Sequence, residues 1–354
     1  MVVDAGAAPE ITPETMVAGL PLGRRLALAG ARAGLASAPS SEPGRRRVIL
    51  VPSNVIPQPR WLRALAAMPL QPETLWVDPV QVAVVDTDDP KPVLDAAGRA
   101  TSAAECVAAL KGRFATIEGT ADDKGRFAVR TAGDLRSAES WLLRGLIKDS
   151  EGFMSRHVER LISLALTRRL VWTSVTPNAI TLVSLAIGLA SAPFFLSSTP
   201  GWQLAGALLF LLHSILDGCD GEIARLKFLE SAGGAALDFW GDNTVHVAVF
   251  GCMAVGWNLS AHSAWPMVVG AVAVASTLAA AFFEAPRMVR PSAAAAPRSA
   301  GAKTVDALAN RDFIYLIVAL SAFGKAAWFI VFVAIGTPIF VLVRLRADRP
   351  QGRG

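Results

Sequence analysis

From Thr176 to Val343 apolar residues recur in runs long enough to cross a bilayer, near 178–197, 201–220, 234–257, 264–285, 312–323 and 326–343. Only Gly324-Lys325 separates the last two runs, so the fifth is expected to be short or tilted. The first half has a different rhythm. VILVPSNV from Val48 reads as a buried strand and turn, PRWLRALAAM as a helix, and Leu75–Val77 and Val80–Val85 as strands. Ala103–Lys111 reads as a helix and Phe127–Val129 as another strand, and strands alternating with helices predict a small α/β domain. Between the halves, Ser137–Leu170 sets Leu142, Leu146, Phe153, Leu161 and Ile162 against Arg144, Arg156, Arg160, Arg168 and Arg169. A basic amphipathic helix beside a spanning segment lies in the membrane interface, with its arginines as lipid anchors.

The fold class expected from this pattern is mainly α: a six-helix transmembrane bundle preceded by a small cytosolic α/β domain and an amphipathic juxtamembrane helix. Its expected divisions are a flexible segment over 1–46 with a short helix through Leu20–Leu35, the α/β domain over 47–136, amphipathic linker helices over 137–172, and the transmembrane domain over 173–346. Charge then orients the chain. The net charge of +5 comes from Lys and Arg clustered at the ends of the apolar runs, which points to anionic lipid and away from nucleic acid. Loops near 198–200 and 258–263 carry no Lys or Arg, whereas Arg225, Lys227, Arg287, Arg290, Arg311 and Arg344 crowd the other side. The positive-inside rule therefore puts both termini in the cytoplasm of an inner-membrane protein. The acidic start, MVVDAGAAPEITPETM, has no apolar core and is not a secretory signal. Cys106, Cys219 and Cys252 are too scattered for a metal motif or a disulfide framework.

Four aspartates interrupt the apolar half. Asp217 and Asp220 fall on one face of one helix together with Gly221, Ala224 and Arg225; Asp238 and Asp242 are i, i+4 partners on the next, with Gly234 one turn before them. Intramembrane acids are costly unless they face a cavity, a partner or a metal. Four carboxylates aimed at one another repel, so the arrangement implies one or two hard divalent cations, Mg²⁺ or Mn²⁺, held by oxygen. Paired metals of that kind serve displacement at phosphorus.

Asp217-x-x-Asp220-Gly221-x-x-Ala224-Arg225, eight further residues, then Gly234-x-x-x-Asp238-x-x-x-Asp242 resembles, at every fixed position, the signature of the CDP-alcohol phosphotransferases. The resemblance implies that Asp217, Asp220, Asp238 and Asp242 bind a two-metal site, that the metals hold the diphosphate of a CDP-linked donor, and that CMP leaves as an acceptor alcohol attacks. It gives Asp242 the further task of taking the acceptor's proton. Gly221, Ala224, Arg225 and Gly234 would form the nucleotide slot, and homodimers are common in the family. Thr176-Pro177-Asn178 is similar to the family's Pro-Asn opening near the donor phosphates, which adds Thr176 and Asn178; helix capping alone also accounts for the triplet. Arg287, Arg290 and Arg311 on one connection suit an acceptor bearing a phosphate, such as an inositol phosphate or glycerol phosphate. His213 and His246, each one turn from a signature acid, read as core histidines.

The front domain is similar to the nucleotidyltransferase-like domain fused to some family members. Active enzymes of that type have a Gly-rich basic loop after the first strand, and Val51-Pro52-Ser53-Asn54-Val55 has neither Gly nor Lys, so a degenerate scaffold is expected. Two other functions fit an acidic membrane cluster: a cation transporter, which would show paired repeats and broken helices, and a catalytically inactive anchor.

Overall fold

The computed structural model describes residues 1–4, 6, 10–36, 45–120, 122–147, 152–289 and 312–347. The chain divides into two compact units, Met1–Gly145 and Leu146–Gly354.

The first unit is built on strands β1 (Val2–Asp4), β4 (Arg46–Val51), β6 (Thr74–Val77), β7 (Ala83–Thr87) and β8 (Ala115–Glu118), in the order β1-β4-β7-β6-β8. β1 and β4 are parallel, as are β6 and β8; the two central pairings are antiparallel, with Val48 opposite Val85 and Leu75 opposite Val85. Val48, Ile49, Leu50 and Val51 are all fully buried, so β4 is covered on both faces, as its unbroken apolar run requires. Helices α3 (Lys91–Arg99) and α4 (Ala103–Lys111) supply Val93, Cys106, Val107 and Leu110 to that core. Two short pairs, β2 (Met16–Val17) with β3 (Leu20–Pro21) and β5 (Val55–Pro57) with β9 (Arg126–Ala128), complete the strands. Arg45 and Arg47 both reach Asp86 of β7, at 3.0 and 2.8 Å; burial alone would raise that carboxyl, but the two guanidinium groups outweigh it and hold it below the usual range.

The expectation of a flexible segment over 1–46 is corrected here for its described residues, while the short helix expected within Leu20–Leu35 is present. β1 forms the edge of the main sheet, and α1 (Leu22–Arg32) buries Leu22, Leu26 and Ala29, while buried Arg25 donates to the carbonyls of Val17 and Ala18 at 2.9 and 3.1 Å. A three-residue strand has no period to read; its order comes from β4, some 45 residues away in sequence. The first strand among the described residues is thus β1, not the one at Val48.

The amphipathic stretch over Ser137–Leu170 is divided between the two units. α5 (Leu135–Arg144) belongs to the first unit and stops at Gly145. The second stretch begins at Phe153, widens into a π turn over Ser155–Glu159 and continues as α6 (Arg160–Leu170). Its start is capped from afar: Asp312 accepts hydrogen bonds from the backbone N–H groups of Met154 and Ser155 at 3.2 and 3.0 Å. Phe153, Leu161 and Ile162 stay exposed, an apolar stripe suited to lipid.

The second unit continues with α7 (Pro177–Ser191), α8 (Pro200–Lys227), α9 (Ala232–Ala261), α10 (Trp265–Val289), α11 (Phe313–Ala322) and α12 (Trp328–Ala347). Among the described residues four helical stretches are long and apolar enough to cross a membrane: Pro177–Leu196, Pro200–Lys227, Ala232–Ala261 and Trp265–Pro286. Helices stand at all six expected places, but the last two are shorter apolar helices by that measure. Ten residues of α11 reach about 15 Å, half a bilayer's hydrocarbon thickness. The bundle core gathers Phe195, Phe210, Val249, Phe250, Met253, Ile317 and Phe329. α9 passes so close to the turn after α7 that a Cβ on Gly256 would sit 2.2 Å from the Phe195 carbonyl oxygen.

α6 is locked to the back of α8 by a buried carboxylate. Glu222 is fully buried, pairs with Arg160, and accepts from Ser163 at 2.7 Å and Thr167 at 2.6 Å. Its two oxygens thus meet three donors, which is what makes a charge tolerable inside an apolar bundle. Replacing Glu222 by Ala breaks the buried pair with Arg160 and should destabilise the unit by about 3–5 kcal/mol. Thermal unfolding of the purified chain in detergent, followed by tryptophan fluorescence, checks this; an unchanged midpoint contradicts the lock.

Candidate metal and nucleotide site

A four-residue connection between α8 and α9 sets the site. α8 ends at Lys227 and is capped by Phe228, whose φ of 56° is left-handed, and the Leu229 N–H returns to the Ala224 carbonyl at 2.8 Å. Ser231 then caps α9, its hydroxyl accepting from the Gly234 N–H at 3.0 Å. The tight reversal brings the acidic faces of the two helices together. Carboxylate oxygens of Asp217, Asp220 and Asp238 lie within 4.8 Å of one another. Asp217 and Asp220 are each only 5% exposed, so water does little to separate their charges.

Thr181 on α7 hydrogen-bonds the Asp220 carboxylate and fixes one of its oxygens. Asp242, a turn further along α9, stands outside the group of three; its Oδ1 is 3.4 Å from Nε2 of His213. One helical turn advances about 5.4 Å, enough to carry the fourth acid past the centre of the cluster. The oxygen-only donor set at this spacing fits a hard divalent cation, Mg²⁺ or Mn²⁺, rather than zinc or copper.

Beside the acids is a cavity of about 190 Å³ whose lining includes Asn178, Gly221, Ala224, Arg225 and Gly234, together with Asp220 and Asp238. Five of the six residues expected at a nucleotide therefore meet in one place. A Cβ on Gly221 would come within 3.2 Å of Arg225 Nη1, and one on Gly234 within 3.0 Å of Asn178 Oδ1, so the absent side chains leave those two polar groups room. Thr176 is apart from the cavity lining: its hydroxyl accepts from the Ala179 N–H at 3.3 Å and caps α7. Arg290 and Arg311 lie outside the described residues; Arg287 is in α10, with its side chain outside them as well.

Three residues of the site were not singled out from the sequence in these roles. Thr181 follows Asn178 by one turn, a spacing that could have flagged it. Glu222 occupies a variable position of the signature, and nothing local marks its partners on α6. His213 was read as core, and it is buried as such, but it touches an acid of the signature.

The model of the CDP-alcohol phosphatidyltransferase family matches residues 174–342. Residues 174–342 are a CDP-alcohol phosphatidyltransferase domain. Among curated proteins, this chain is 37% identical over 150 residues to the bifunctional IPC transferase and DIPP synthase of Archaeoglobus fulgidus, covering 42% of this chain and 30% of that protein. It is 41% identical over 118 residues to the protein of the same name from Thermococcus kodakarensis, covering 33% of this chain and 26% of that one. The matched stretches thus span about a third or less of the curated relatives' length. A phosphatidylinositol phosphate synthase of Mycobacterium tuberculosis, solved with CDP-DAG bound, aligns at 18% identity with a TM-score of 0.40, over 54% of this chain and 96% of that one. That likeness is too low to transfer any detail.

The CDP-alcohol phosphatidyltransferase domain carries its acids where a cation can be detected without substrate. Asp220→Asn should weaken Mn²⁺ binding about tenfold or more, since one charge-assisted contact is worth about 1.5–3 kcal/mol and 1.4 kcal/mol is tenfold. Electron paramagnetic resonance of Mn²⁺ titrated into the purified chain measures this, and equal affinity in the variant would remove Asp220 from the ligand set.

Proposed function

We propose that this chain is a membrane transferase that moves a phospho-alcohol group from a CDP-linked donor to an acceptor hydroxyl, releasing CMP. The observation that carries the reading is the meeting of Asp217, Asp220 and Asp238 with a cavity that Gly221, Ala224 and Arg225 of the same signature line. In this reading Asp217, Asp220, Asp238 and Asp242 hold one or two divalent cations. When bound, such ions neutralise the diphosphate and the charge that grows on the leaving oxygen.

The chain's own residues account for the rest. Arg225 offers its planar fork to a phosphate, and Asn178 a side-chain amide across the same cavity. The acceptor oxygen forms a bond to the phosphorus that bears the alcohol; the bond from that phosphorus to the CMP oxygen breaks, and CMP leaves with the electron pair. Asp242 takes the acceptor's proton. The basic connection that includes Arg287, Arg290 and Arg311 favours an acceptor with its own phosphate, such as an inositol phosphate or glycerol phosphate. The distribution of Lys and Arg favours a cytoplasmic site with both termini on that side, and the family resemblance favours a homodimer. The front domain serves as a scaffold in this reading, because Val51-Pro52-Ser53-Asn54-Val55 has neither Gly nor Lys to hold a triphosphate.

Purified chain incubated with a panel of CDP-linked donors and candidate acceptors, with CMP as the readout, tests the reaction; no CMP from any pair rejects it. Asp242→Asn should lower CMP release by about 10²–10⁴-fold, the usual contribution of a positioned base, while donor binding persists. A chelator should stop turnover, and added Mg²⁺ or Mn²⁺ should restore it. Turnover that survives chelation contradicts the metal's part in the scheme.

A further inference from the structure

We propose that the end of the bundle opposite the acids holds the phosphate headgroup of an anionic phospholipid, with Lys325 as its cation. The proposal is separate from the transfer reading and rests only on the helices crossing a bilayer. A cavity of about 300 Å³ opens at that end, with Ser198, Gln203, Trp257, Phe323, Lys325 and Trp328 in its lining. That size is enough to seat a small polar group. Gln203 precedes Asp217 by about 21 Å along α8, and Trp257 follows Asp238 by about 28 Å along α9. Those separations approach the hydrocarbon thickness of a bilayer, so the cavity and the acids stand at opposite membrane surfaces.

The walls are fixed before any ligand arrives. Gln203 is 5% exposed; its Nε2 donates to the Ser197 carbonyl at 3.0 Å and its Oε1 accepts from the Ala326 N–H at 3.1 Å. One side chain thus ties the turn after α7 to the connection between α11 and α12. Gly324 in that connection has a left-handed φ of 68°, and a Cβ there would lie 3.0 Å from the Ser198 carbonyl oxygen, so only glycine lets the two segments meet. On the α9 side, Trp257 packs edge-on against Trp265 with centroids 4.4 Å apart and tilts against Trp328 at 6.1 Å. Tryptophans gather where hydrocarbon gives way to headgroups, which places the cavity at that level of the bilayer.

Charge decides what the cavity takes. Residues 176–216, 243–283 and 313–343 contain no Asp, Glu or Arg, and Lys325 is their only lysine. Among the described residues its ammonium forms no ion pair. The other polar groups of the lining add donors: the Ser198 hydroxyl, the second amide hydrogen of Gln203 and the indole N–H groups of Trp257 and Trp328. A lysine that served only as an anchor would need water and no such cavity; an ammonium among neutral donors suits the oxygens of a phosphate. A zwitterionic headgroup would bring its own ammonium toward Lys325, whereas a net negative one does not. The acyl chains also have a track. Trp328, Phe332, Ile335, Ile339 and Leu342 are all exposed and follow one another at steps of four and three, so they form one stripe along α12 that starts at the cavity. A soluble phosphate would gain nothing from that stripe, which commits the occupant to a lipid.

The test places the full chain in phosphatidylcholine nanodiscs that contain a minor fraction of phosphatidylglycerol with a photoactivatable diazirine in its acyl chain, and maps the labelled peptides by mass spectrometry. Labelling of the α12 stripe should exceed that by phosphatidylcholine carrying the same diazirine by about fivefold, the weight of one basic residue at an anionic surface. Lys325→Gln should abolish that excess and Lys325→Arg should keep it, while labelling of the basic helix α6 stays the same in all three chains. Equal labelling by the two lipids, or an excess that survives Lys325→Gln, overturns the proposal. Loss of the excess when glycerol phosphate or inorganic phosphate is added at constant ionic strength gives the cavity to a soluble anion and overturns the lipid. An unlabelled stripe that instead cross-links to a second copy of the chain overturns it as well. CMP release is not read, so failure of the transfer reading leaves each of these outcomes intact.

Discussion

Mutual repulsion among Asp217, Asp220 and Asp238 is the constraint on which this structure turns. Three carboxylates within 4.8 Å, two of them almost closed off from water, are stable inside an apolar bundle only with a compensating positive charge or a shared proton. The fold does nothing to keep them apart. A short left-handed turn at Phe228 and a serine cap at Ser231 force the ends of α8 and α9 together, so the bundle invests in bringing like charges into contact. Such an arrangement is costly for stability alone and is useful for holding a cation.

The surrounding helices keep that crowded face in register. α6 grips the far side of α8 through Glu222, satisfied by Arg160, Ser163 and Thr167. α7 contributes Thr181 to Asp220 and the Ser184 carbonyl to His213. Each contact is polar and directional inside a largely apolar core, where a satisfied hydrogen bond specifies one geometry more sharply than packing does. The small residues serve the same end by subtraction: Gly188, Gly221 and Gly234 leave room for His213, Arg225 and Asn178.

The front unit shows how burial overrides local signal. β1 and α1 gain their order from β4 and from buried contacts far along the chain, and the all-exposed edge strand β8 has no alternation for a sequence reading to find. The central elements, β4, α2 (Pro59–Ala67), β6 and α4, were legible because each presents a full apolar run or face to the core. The break in the amphipathic stretch after α5 escaped notice for a related reason: period alone runs on through Gly145, while chain contacts end one unit there.

The sequence by itself determined the apolar runs, the acid spacing and the signature, because helical period and membrane length are local properties that one segment expresses without its neighbours. It thereby put the acids on facing helices and named five of the residues that line one cavity. Only the tertiary structure decided that three acids cluster while Asp242 turns to His213, that Thr176 caps a helix outside the cavity lining, and that Glu222 binds α6. Those outcomes depend on how far one helix slides and rotates against another. A shift of a single turn exchanges which side chains meet, and no run of residues along one helix encodes the position of the next.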